Sequence, residues 1–354
     1  MRKPIKEYGS EFDWEANCPF LSGNASLPDW GRFRKYFRSG RDALRGIARQ
    51  QKPTHRYVLL PALCCDSMVV PFEQEGYRVR FYRLNAALQA DVDHVKQMAC
   101  DQTVLVYMNY FGIESFSGDS LSMLKTMYPN MILLQDRTHD FLEKTSEEKA
   151  DYLVVSIRKW AAVPDGGIAF STMPFTVSTD KNDAFFKMRL QMLCHKSEYL
   201  RTGDRALKDR FRREQADATA YLDASRDLTG ISSESERIVE SLDYPTIARI
   251  RGENIAALTR LLTGARGVEP LSGGIAAHGL YYPILVHGDR AGLQKTLAEQ
   301  NIYCPVIWPL RQQAQAVCDT ARTISQTMLA VPCDQRYNTE DMAYIGQTII
   351  RIMG

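Results

Sequence analysis

The sequence predicts an α/β protein with a large, mainly parallel sheet flanked by helices and a smaller C-terminal α+β domain. Short apolar runs of strand length alternate with stretches of helical periodicity, and the runs are apolar on both faces, as in buried parallel strands. A chain of 354 residues with 45% hydrophobic content also has enough material for more than one core. Because ligands of parallel sheets bind at the carboxyl ends of the strands, residues at those ends are the first candidates for a functional site.

The first part of the chain is predicted to be an arm followed by the large domain. Residues 1–35 form a polar arm without periodicity, for which we consider packing on another subunit. Residues 36–240 form the large domain. Its predicted elements are a helix over 40–50, a strand over 56–61, a helix over 66–77 that must accommodate Pro71, a strand over 77–84, a helix over 91–99, a strand over 103–111, a helix over 120–128 and a strand over 131–136.

Further along, the pattern changes. Two strands flank a Pro/Gly turn near residue 165, and a charged helical region over 181–227 follows, whose basic residues we interpret as a solvated face. Residues 241–354 are predicted to form the small domain. Its elements are a helix over 244–262, a strand over 279–288, a helix capped by Asp289, a strand over 302–308 and a closing helix capped by Thr339.

The charge balance argues against a nucleic-acid partner. The chain carries 44 basic and 42 acidic residues, a formal net charge of +2, so no chain-wide field attracts a polyanion. The sequence contains neither a signal-peptide pattern nor an apolar run of membrane-span length, and we expect a cytoplasmic protein without a membrane partner. The eight cysteines lack CxxC spacing and the histidines lack paired ligand spacing, so we expect reduced thiols and no metal.

The first of three polar clusters is the segment RSGRDAL, residues 38–44. Ser39 and Gly40 stand where a helix begins. Free N–H groups at a helix start, together with the positive end of the helix dipole, suit a phosphate. An ordinary helix cap is the alternative, which this segment alone does not exclude.

The second cluster is LLQDRTHD, in which an apolar strand delivers Asp136 to its carboxyl end and His139 follows three residues later. A buried carboxylate at this point needs a cationic or hydrogen-bonding partner. It can cap the next turn, or it can face a ligand nitrogen and keep that nitrogen protonated, with His139 beside it as a hydrogen-bond donor.

The third cluster is YLVVSIRKWAAVPDGG, residues 152–167. Lys159 follows an apolar strand, lies beside Trp160 and precedes a turn with two glycines. Most lysines belong to solvated faces, but this setting favours a partly desolvated amine that can act as a nucleophile.

Together the three clusters supply what pyridoxal phosphate requires. The helix start suits the phosphate, the carboxylate suits the pyridine nitrogen, and the amine, 23 positions after Asp136, suits the aldehyde. We therefore predict pyridoxal phosphate as the cofactor. A plain α/β domain that binds no cofactor is the alternative.

The segments SGRDAL, VLLPALCCDSMVVPFEQEGYRVRFY, VYMNYFGI, LLQDRTHDF and SIRKWAAVPDGGIAF occur in the order seen in fold-type-I pyridoxal-phosphate enzymes. The chain most resembles the DegT/StrS-type aminotransferases, known mainly as sugar aminotransferases. The match covers residues 36–172 well and the C-terminal domain only by pattern. The resemblance implies a fold-type-I transferase and, since sites of that fold usually lie between subunits, a homodimer.

The resemblance also implies roles for the residues that match the family motifs. Lys159 corresponds to the Schiff-base lysine and Asp136 to the partner of the pyridine nitrogen. His139 stands beside the cofactor ring, where the family has Gln or His. The backbone of Gly40 and Arg41 corresponds to the phosphate site, to which Ser156 adds a further contact.

The chain departs from the family pattern at two points. The family has a serine five positions before the lysine, whereas this chain has Val154 there and Ser156 only three positions before it. The family also has an aromatic residue stacked on the cofactor ring where this chain has Cys65. Either Leu63 or Cys65 packs there, or another segment supplies the ring.

The function implied is an aminotransferase that moves an amino group from a small-molecule donor, glutamate or glutamine by family analogy, to a keto or aldehyde acceptor. Other reactions of the same cofactor, such as elimination or decarboxylation, share every residue named. A non-catalytic binding protein on the same fold is a further alternative. The sugar dehydratases of this family have His in place of the lysine, so Lys159 argues against that branch.

Overall fold

The computed structural model describes residues 5–21, 27–28, 30–143, 149–271 and 277–354. Its strands are β1 Tyr8–Gly9, β2 Phe33–Phe37, β3 Tyr57–Pro61, β4 Arg78–Tyr82, β5 Thr103–Met108, β6 Ile132–Asp136, β7 Tyr152–Val155, β8 Gly167–Ser171, β9 Val268–Pro270, β10 Tyr282–Val286, β11 Ile302–Tyr303 and β12 Met328–Val331. Its α-helices are α1 Gly40–Gln51, α2 Asp66–Gln74, α3 Val92–Met98, α4 Gly118–Met127, α5 Ala184–Thr202, α6 Arg205–Ala224, α7 Ser233–Ser241, α8 Tyr244–Leu262, α9 Arg290–Glu299, α10 Gln312–Val317, α11 Asp319–Thr327 and α12 Thr339–Met353.

The predicted large, mainly parallel sheet is confirmed. Within the described residues it has seven strands in the order β2-β8-β7-β6-β5-β3-β4, and only β8 runs antiparallel to its neighbours. Every residue of β5, β6 and β7 is buried, which explains why these runs are apolar on both faces. The carboxyl ends of β3, β5, β6 and β7 therefore meet at one edge of the sheet.

A second core lies under the small antiparallel sheet β12-β10-β9. Helices α8, α9 and α12 contribute buried apolar residues to it. Helix α8 spans both cores, because Ile247 packs in the large core and Leu258 in the small one. The division near residue 240 stays a prediction.

Several predicted boundaries needed correction. The predicted cap of the closing helix, Thr339, is wrong: the cap is Asn338, whose Oδ1 accepts hydrogen bonds from the N–H groups of Glu340 and Asp341. The charged region forms two helices, α5 and α6, because Gly203 adopts a left-handed φ of 69° and ends the first. The strand predicted over 302–308 covers only β11.

The interpretation of the basic residues in that region as a solvated face is also wrong in part. Arg189 and Lys196 of α5 are buried and contact the N-terminal arm: Arg189 donates to Glu11, and Lys196 contacts the carbonyl of Glu11. Sequence periodicity marked these positions only as basic, since the arm that covers them is distant in the chain.

The described part of the arm packs on its own chain. Strand β1 pairs with β11 in parallel, and Glu7 accepts a hydrogen bond of 2.7 Å from Lys208 on α6. Packing of the arm on another subunit as well, which we considered from the sequence, stays a prediction. The predicted arm also includes residues 1–4, 22–26 and 29, which lie outside the described residues.

Three observations concern membrane spans, metal sites and disulfide bonds. Among the described helices, none is long and apolar enough to cross a membrane. The described residues also contain no group of three or more His, Cys, Asp or Glu side chains able to hold a metal ion. All eight cysteines are free.

Candidate functional site

A cavity of about 130 Å³ opens at the carboxyl edge of the large sheet. All seven residues singled out from the sequence line it, namely Gly40, Arg41, Cys65, Asp136, His139, Ser156 and Lys159. These residues come from four separate segments, so the fold itself brings them together. The apolar side chains of Met68, Met108 and Val154 line the same space.

The amino end of α1 forms one wall of this cavity. Ser39 caps the helix, because its Oγ accepts a hydrogen bond of 3.2 Å from the N–H of Asp42 and donates one of 2.7 Å to the Asp42 carboxylate. That buried carboxylate also binds Arg38 through two hydrogen bonds of 2.9 Å and Arg45 through one of 3.0 Å. The helix start is therefore held rigidly, with its first N–H groups beside the cavity.

Glycine is required where the strands approach this helix. A Cβ on Gly167 of β8 would lie 2.2 Å from the carbonyl carbon of Ser39 and 2.5 Å from the nitrogen of Gly40. A Cβ on Gly40 would lie 3.1 Å from the Cβ of Ser156. The helix start thus sits against β8 and the end of β7 with no room for a side chain, as a phosphate cradle requires.

Asp136 ends β6 and is buried. Burial raises the pKa of its carboxyl, whereas hydrogen bonds from Thr138 and the positive charge of Lys159 oppose that rise. One of those hydrogen bonds joins the N–H of Thr138 to Asp136 Oδ1 at 2.8 Å. A cationic ring nitrogen in the cavity would stabilise the ionised carboxylate further.

His139 lies on the same loop and is buried between two aromatic rings. Its ring centroid is 4.6 Å from that of Phe111 and 5.2 Å from that of Trp308. Burial, and then the charge of Lys159, lower the pKa of His139 well below its usual range, so the imidazole is neutral. Its Nδ1 is buried and finds no hydrogen-bond partner among the described residues.

The remainder of the LLQDRTHD segment holds this loop in place. Asp140 accepts hydrogen bonds of 3.0 Å from Arg137 and 2.9 Å from Asn109, all three groups being buried. Burial raises the pKa of Asp140 to about 7, although Arg137 and Asn109 both act to lower it. This network holds the loop that carries His139, and none of its three residues lines the cavity.

Phe111 and Trp308 were not singled out from the sequence. Phe111 has a φ of 54°, an unusual conformation for a bulky residue and one that turns its ring towards His139. Trp308 comes from the C-terminal part of the chain and lines the cavity. No local pattern marks either residue, because only the tertiary fold places them beside His139.

Lys159 ends a short 3-10 turn, Ile157–Lys159, that follows β7. The next residue anchors the turn, since the Trp160 indole donates a hydrogen bond of 2.8 Å to the carbonyl of Thr138 and its ring lies 4.4 Å from the Arg251 guanidinium. The partial desolvation expected for Lys159 is not observed, because its side chain is exposed. It projects where two cavities meet.

The residue that takes the place of the family's stacking aromatic side chain was left open between Leu63, Cys65 and another segment. Leu63 is fully buried in the core and does not line the cavity, whereas Cys65 does, with its Sγ 2.8 Å from Ser67 Oγ. Trp308 lines the cavity and stacks on His139, whereas Phe111 contacts His139 without lining the cavity. Another segment, rather than Leu63, thus brings an aromatic side chain to this space.

A larger cavity of about 710 Å³ adjoins the first. Arg41, Arg158 and Lys159 line both. The larger one also receives Glu11 from the arm and Arg189 from α5. The arrangement offers a small pocket for a ring with a phosphate and, beyond Lys159, a larger space for a reacting molecule.

Neither a protein-family profile nor a curated protein matches this sequence. Solved structures do match over nearly the whole chain. The candidate sugar aminotransferase Spr1654 from Streptococcus pneumoniae, in its pyridoxal-phosphate form, has 14% identity and a TM-score of 0.67, covering 99% of both chains. PseC from Helicobacter pylori, an aminotransferase in the biosynthesis of pseudoaminic acid, has 14% identity and a TM-score of 0.67, covering 98% of this chain and 99% of its own.

DesI, solved in the presence of its TDP-sugar product, has 14% identity and a TM-score of 0.67, covering 91% of this chain and 81% of its own. At such identities the likeness shows the fold, which is the one that the sequence resemblance implied. It confirms the fold prediction. It does not assign roles to individual residues.

Proposed function

We propose that this protein is a pyridoxal-phosphate-dependent aminotransferase that moves an amino group from an amino-acid donor to a keto or aldehyde acceptor. The observation that carries the proposal is that Asp136, Lys159 and the start of α1 line one cavity. These are a carboxylate, an amine and an anion site, the three groups that the cofactor needs.

The cavity fits this cofactor in two further respects. The close packing at Gly167 holds the helix start in place, and Gly40, Arg41 and Ser156 line the cavity where a phosphate would bind. The buried Nδ1 of His139, which finds no partner within the described chain, points to a polar group of the cofactor ring. Asp136 would hold the ring nitrogen, and Lys159 would carry the aldehyde.

When bound, pyridoxal phosphate supplies an electron sink for the carbon that loses its proton. Asp136 keeps the ring nitrogen protonated and so maintains that sink. Lys159, as a free amine, would take the proton from the α-carbon of the donor in the first half-reaction and would deliver a proton to the carbon of the acceptor in the second.

The structural neighbours suggest the class of acceptor. The Streptococcus pneumoniae protein is described as a sugar aminotransferase and is known in both pyridoxal-phosphate and pyridoxamine-phosphate forms. DesI was solved in the presence of its TDP-sugar product, and PseC is described as an aminotransferase in the biosynthesis of pseudoaminic acid. On this basis we propose a keto sugar as the acceptor and glutamate or glutamine as the donor. The 710 Å³ cavity has room for such an acceptor.

Visible spectroscopy tests the proposal. We expect the purified protein with pyridoxal phosphate to absorb in the Schiff-base region, and glutamate alone to convert that band to the pyridoxamine form. Lys159→Ala should abolish turnover, whereas Lys187→Ala, which removes an exposed lysine from α5, should retain it. A Lys159→Ala protein with normal turnover would refute the assignment. A keto acid released without an aminated acceptor would instead indicate another reaction of the same cofactor.

The assembly and the location of the protein belong to this proposal as well. We propose a homodimer, on the family resemblance alone, so light scattering should give twice the chain mass of 40.2 kDa. The predicted cytoplasmic location and the absence of a nucleic-acid partner stay predictions from the sequence.

A further inference from the structure

Arg158 lies next to Lys159, where the two cavities meet. Among the described residues, its guanidinium forms no ion pair, and its buried Nε finds no hydrogen-bond partner. Its closest described contact is with the ring of Phe185, whose centroid lies 5.3 Å from Arg158 Cζ. Since Phe185 lines the larger cavity and not the smaller one, this contact places the guanidinium at the wall of the larger cavity.

The wall beside Arg158 already binds a carboxylate. Arg189, which is 4% exposed, donates a hydrogen bond of 2.6 Å to Oε2 of Glu11, and Gln215 donates one of 2.9 Å to Oε1. Glu11 thereby uses both its oxygens and compensates Arg189. The Nε of Arg189 is buried and also finds no partner among the described residues.

The charges of this wall therefore do not balance. Among the described residues that line the larger cavity, Glu11 is the one acidic residue, whereas Arg158, Arg189 and Lys295 are basic. Arg41 also lines this cavity and pairs with Asp223, which lies outside the lining. Burial, and then the charge of Arg189, lower the pKa of Arg158 to about 10, although the charges of Glu11 and Asp165 oppose this shift. Leaving a cation unpaired at a buried wall is costly, which is why such groups are found paired or bound to ligands.

We propose that Arg158 binds an anionic group of the substrate, a carboxylate or a phosphate, in the larger cavity while the reacting carbon lies at Lys159. This inference rests on the proposed function and adds the substrate class to it. The anion has two sources, the carboxylate of the amino donor or an anionic group of the acceptor.

The test uses the full-length protein and measures the two half-reactions separately by stopped-flow absorbance. The variants are Arg158→Gln, which removes the charge, and Arg158→Lys, which keeps it. Arg201→Gln is the matched control, because Arg201 is an exposed arginine of α5 outside both cavities.

We expect Arg158→Gln to raise the dissociation constant of one half-reaction about 10- to 100-fold, the loss of one charge-assisted hydrogen bond. Arg158→Lys should restore part of the affinity, and Arg201→Gln should behave as the original protein. A rise with the donor identifies the donor carboxylate as the bound anion, and a rise with the acceptor identifies an anion of the acceptor. Unchanged dissociation constants in both half-reactions would overturn the proposal.

Two readouts separate this inference from the proposed function. The absorbance band of the cofactor should keep its intensity in Arg158→Gln; loss of the band with substrate affinity intact would assign Arg158 to the cofactor instead and overturn the proposal.

The second readout is calorimetry of the unmodified protein, which requires neither turnover nor a folded variant. We expect glutarate to bind at least tenfold more tightly than the uncharged glutaramide, and equal binding of the two would contradict an anion site.

Discussion

At the scale of single residues, the site combines two buried titratable groups with one exposed amine. Asp136 and His139 have pKa values shifted in opposite directions by the same cause, burial, which disfavours the charged form of each. Lys159 is exposed at the junction of the two cavities, where a cofactor and a substrate can both reach it. A neutral imidazole and a carboxylate that needs a cation suit a pyridinium ring.

Asp136→Asn should lower kcat about 100- to 1,000-fold and change cofactor content far less, because an amide cannot hold the ring nitrogen protonated. The measurement is kcat together with the cofactor absorbance per chain. Asp119→Asn, at an exposed position on α4, is the control for loss of a carboxylate. If Asp136→Asn keeps its rate, the carboxylate serves only the turn at Thr138.

Trp308→Ala should weaken cofactor binding about two- to tenfold, the typical value of an aromatic contact, and Trp308→Phe should restore most of it. The reason is that Trp308 lines the cavity and covers His139. Titration of the visible band gives both dissociation constants. Equal affinity in the alanine variant would show that Trp308 closes the cavity without touching the cofactor.

The residues predictable from sequence are those at the ends of local elements. Asp136, Lys159 and Gly40 each adjoin an apolar strand or begin a helix, and a single sequence reveals such positions. Trp308 and the anion-binding role inferred for Arg158 depend on contacts with segments far away in the chain. The sequence around Arg158 does not indicate which groups its guanidinium faces in the folded protein.

At the scale of elements, the approach of α1 to β8 shapes the site. Gly167→Ala places a methyl group 2.2 Å from the backbone of Ser39, so either the strand or the helix start must move. We expect a loss of about 1–3 kcal/mol in the free energy of unfolding and weaker cofactor binding.

Gly118→Ala is the matched control, because a Cβ there would meet only Lys149 Cε, at 3.8 Å. Urea unfolding and a cofactor titration measure the two effects. A Gly167→Ala variant with unchanged cofactor affinity would show that the helix start is not part of the binding site.

Helices and strands were predicted most accurately where a single hydrophobic periodicity runs through the whole element. Helix α8 has the bounds read from the sequence, and the order of β3 to β7 is as predicted. The strand β2 and the short helices α10 and α11 were missed, since short elements depend on tertiary packing more than on propensity. The cap of α12 was misplaced by one residue because Asn338 and Thr339 are both good caps.

At the scale of the whole molecule, the site is held from both halves of the chain. Gln335 donates a hydrogen bond of 2.7 Å to the carbonyl of Trp160, beside Lys159, and the N–H of Leu280 donates one of 3.1 Å to the carbonyl of His139. The arm adds a further tie, since the Glu11 side chain binds Arg189 on α5 and its carbonyl accepts from Arg336.

That tie should be sensitive to acid. Burial alone would raise the pKa of Glu11, but the charge and hydrogen bond of Arg189, with Arg158 and Lys196, lower it to about 2. A carboxyl whose folded pKa is depressed stabilises the protein above its unfolded pKa of about 4.3, and this stability is lost as the pH falls towards 2.

We therefore expect the native protein to lose about 1–2 kcal/mol more than Glu11→Gln between pH 5 and pH 3. Urea unfolding of both proteins at the two pH values measures the difference. Parallel losses in the two proteins would show that Glu11 is not held as a buried ion pair.

The most direct test of the central claim is borohydride reduction of the protein with pyridoxal phosphate, followed by proteolysis and mass spectrometry of the labelled peptide. The account predicts that reduction bleaches the visible band and leaves the cofactor attached to Lys159. Attachment to another lysine, or no attachment at all, would contradict it.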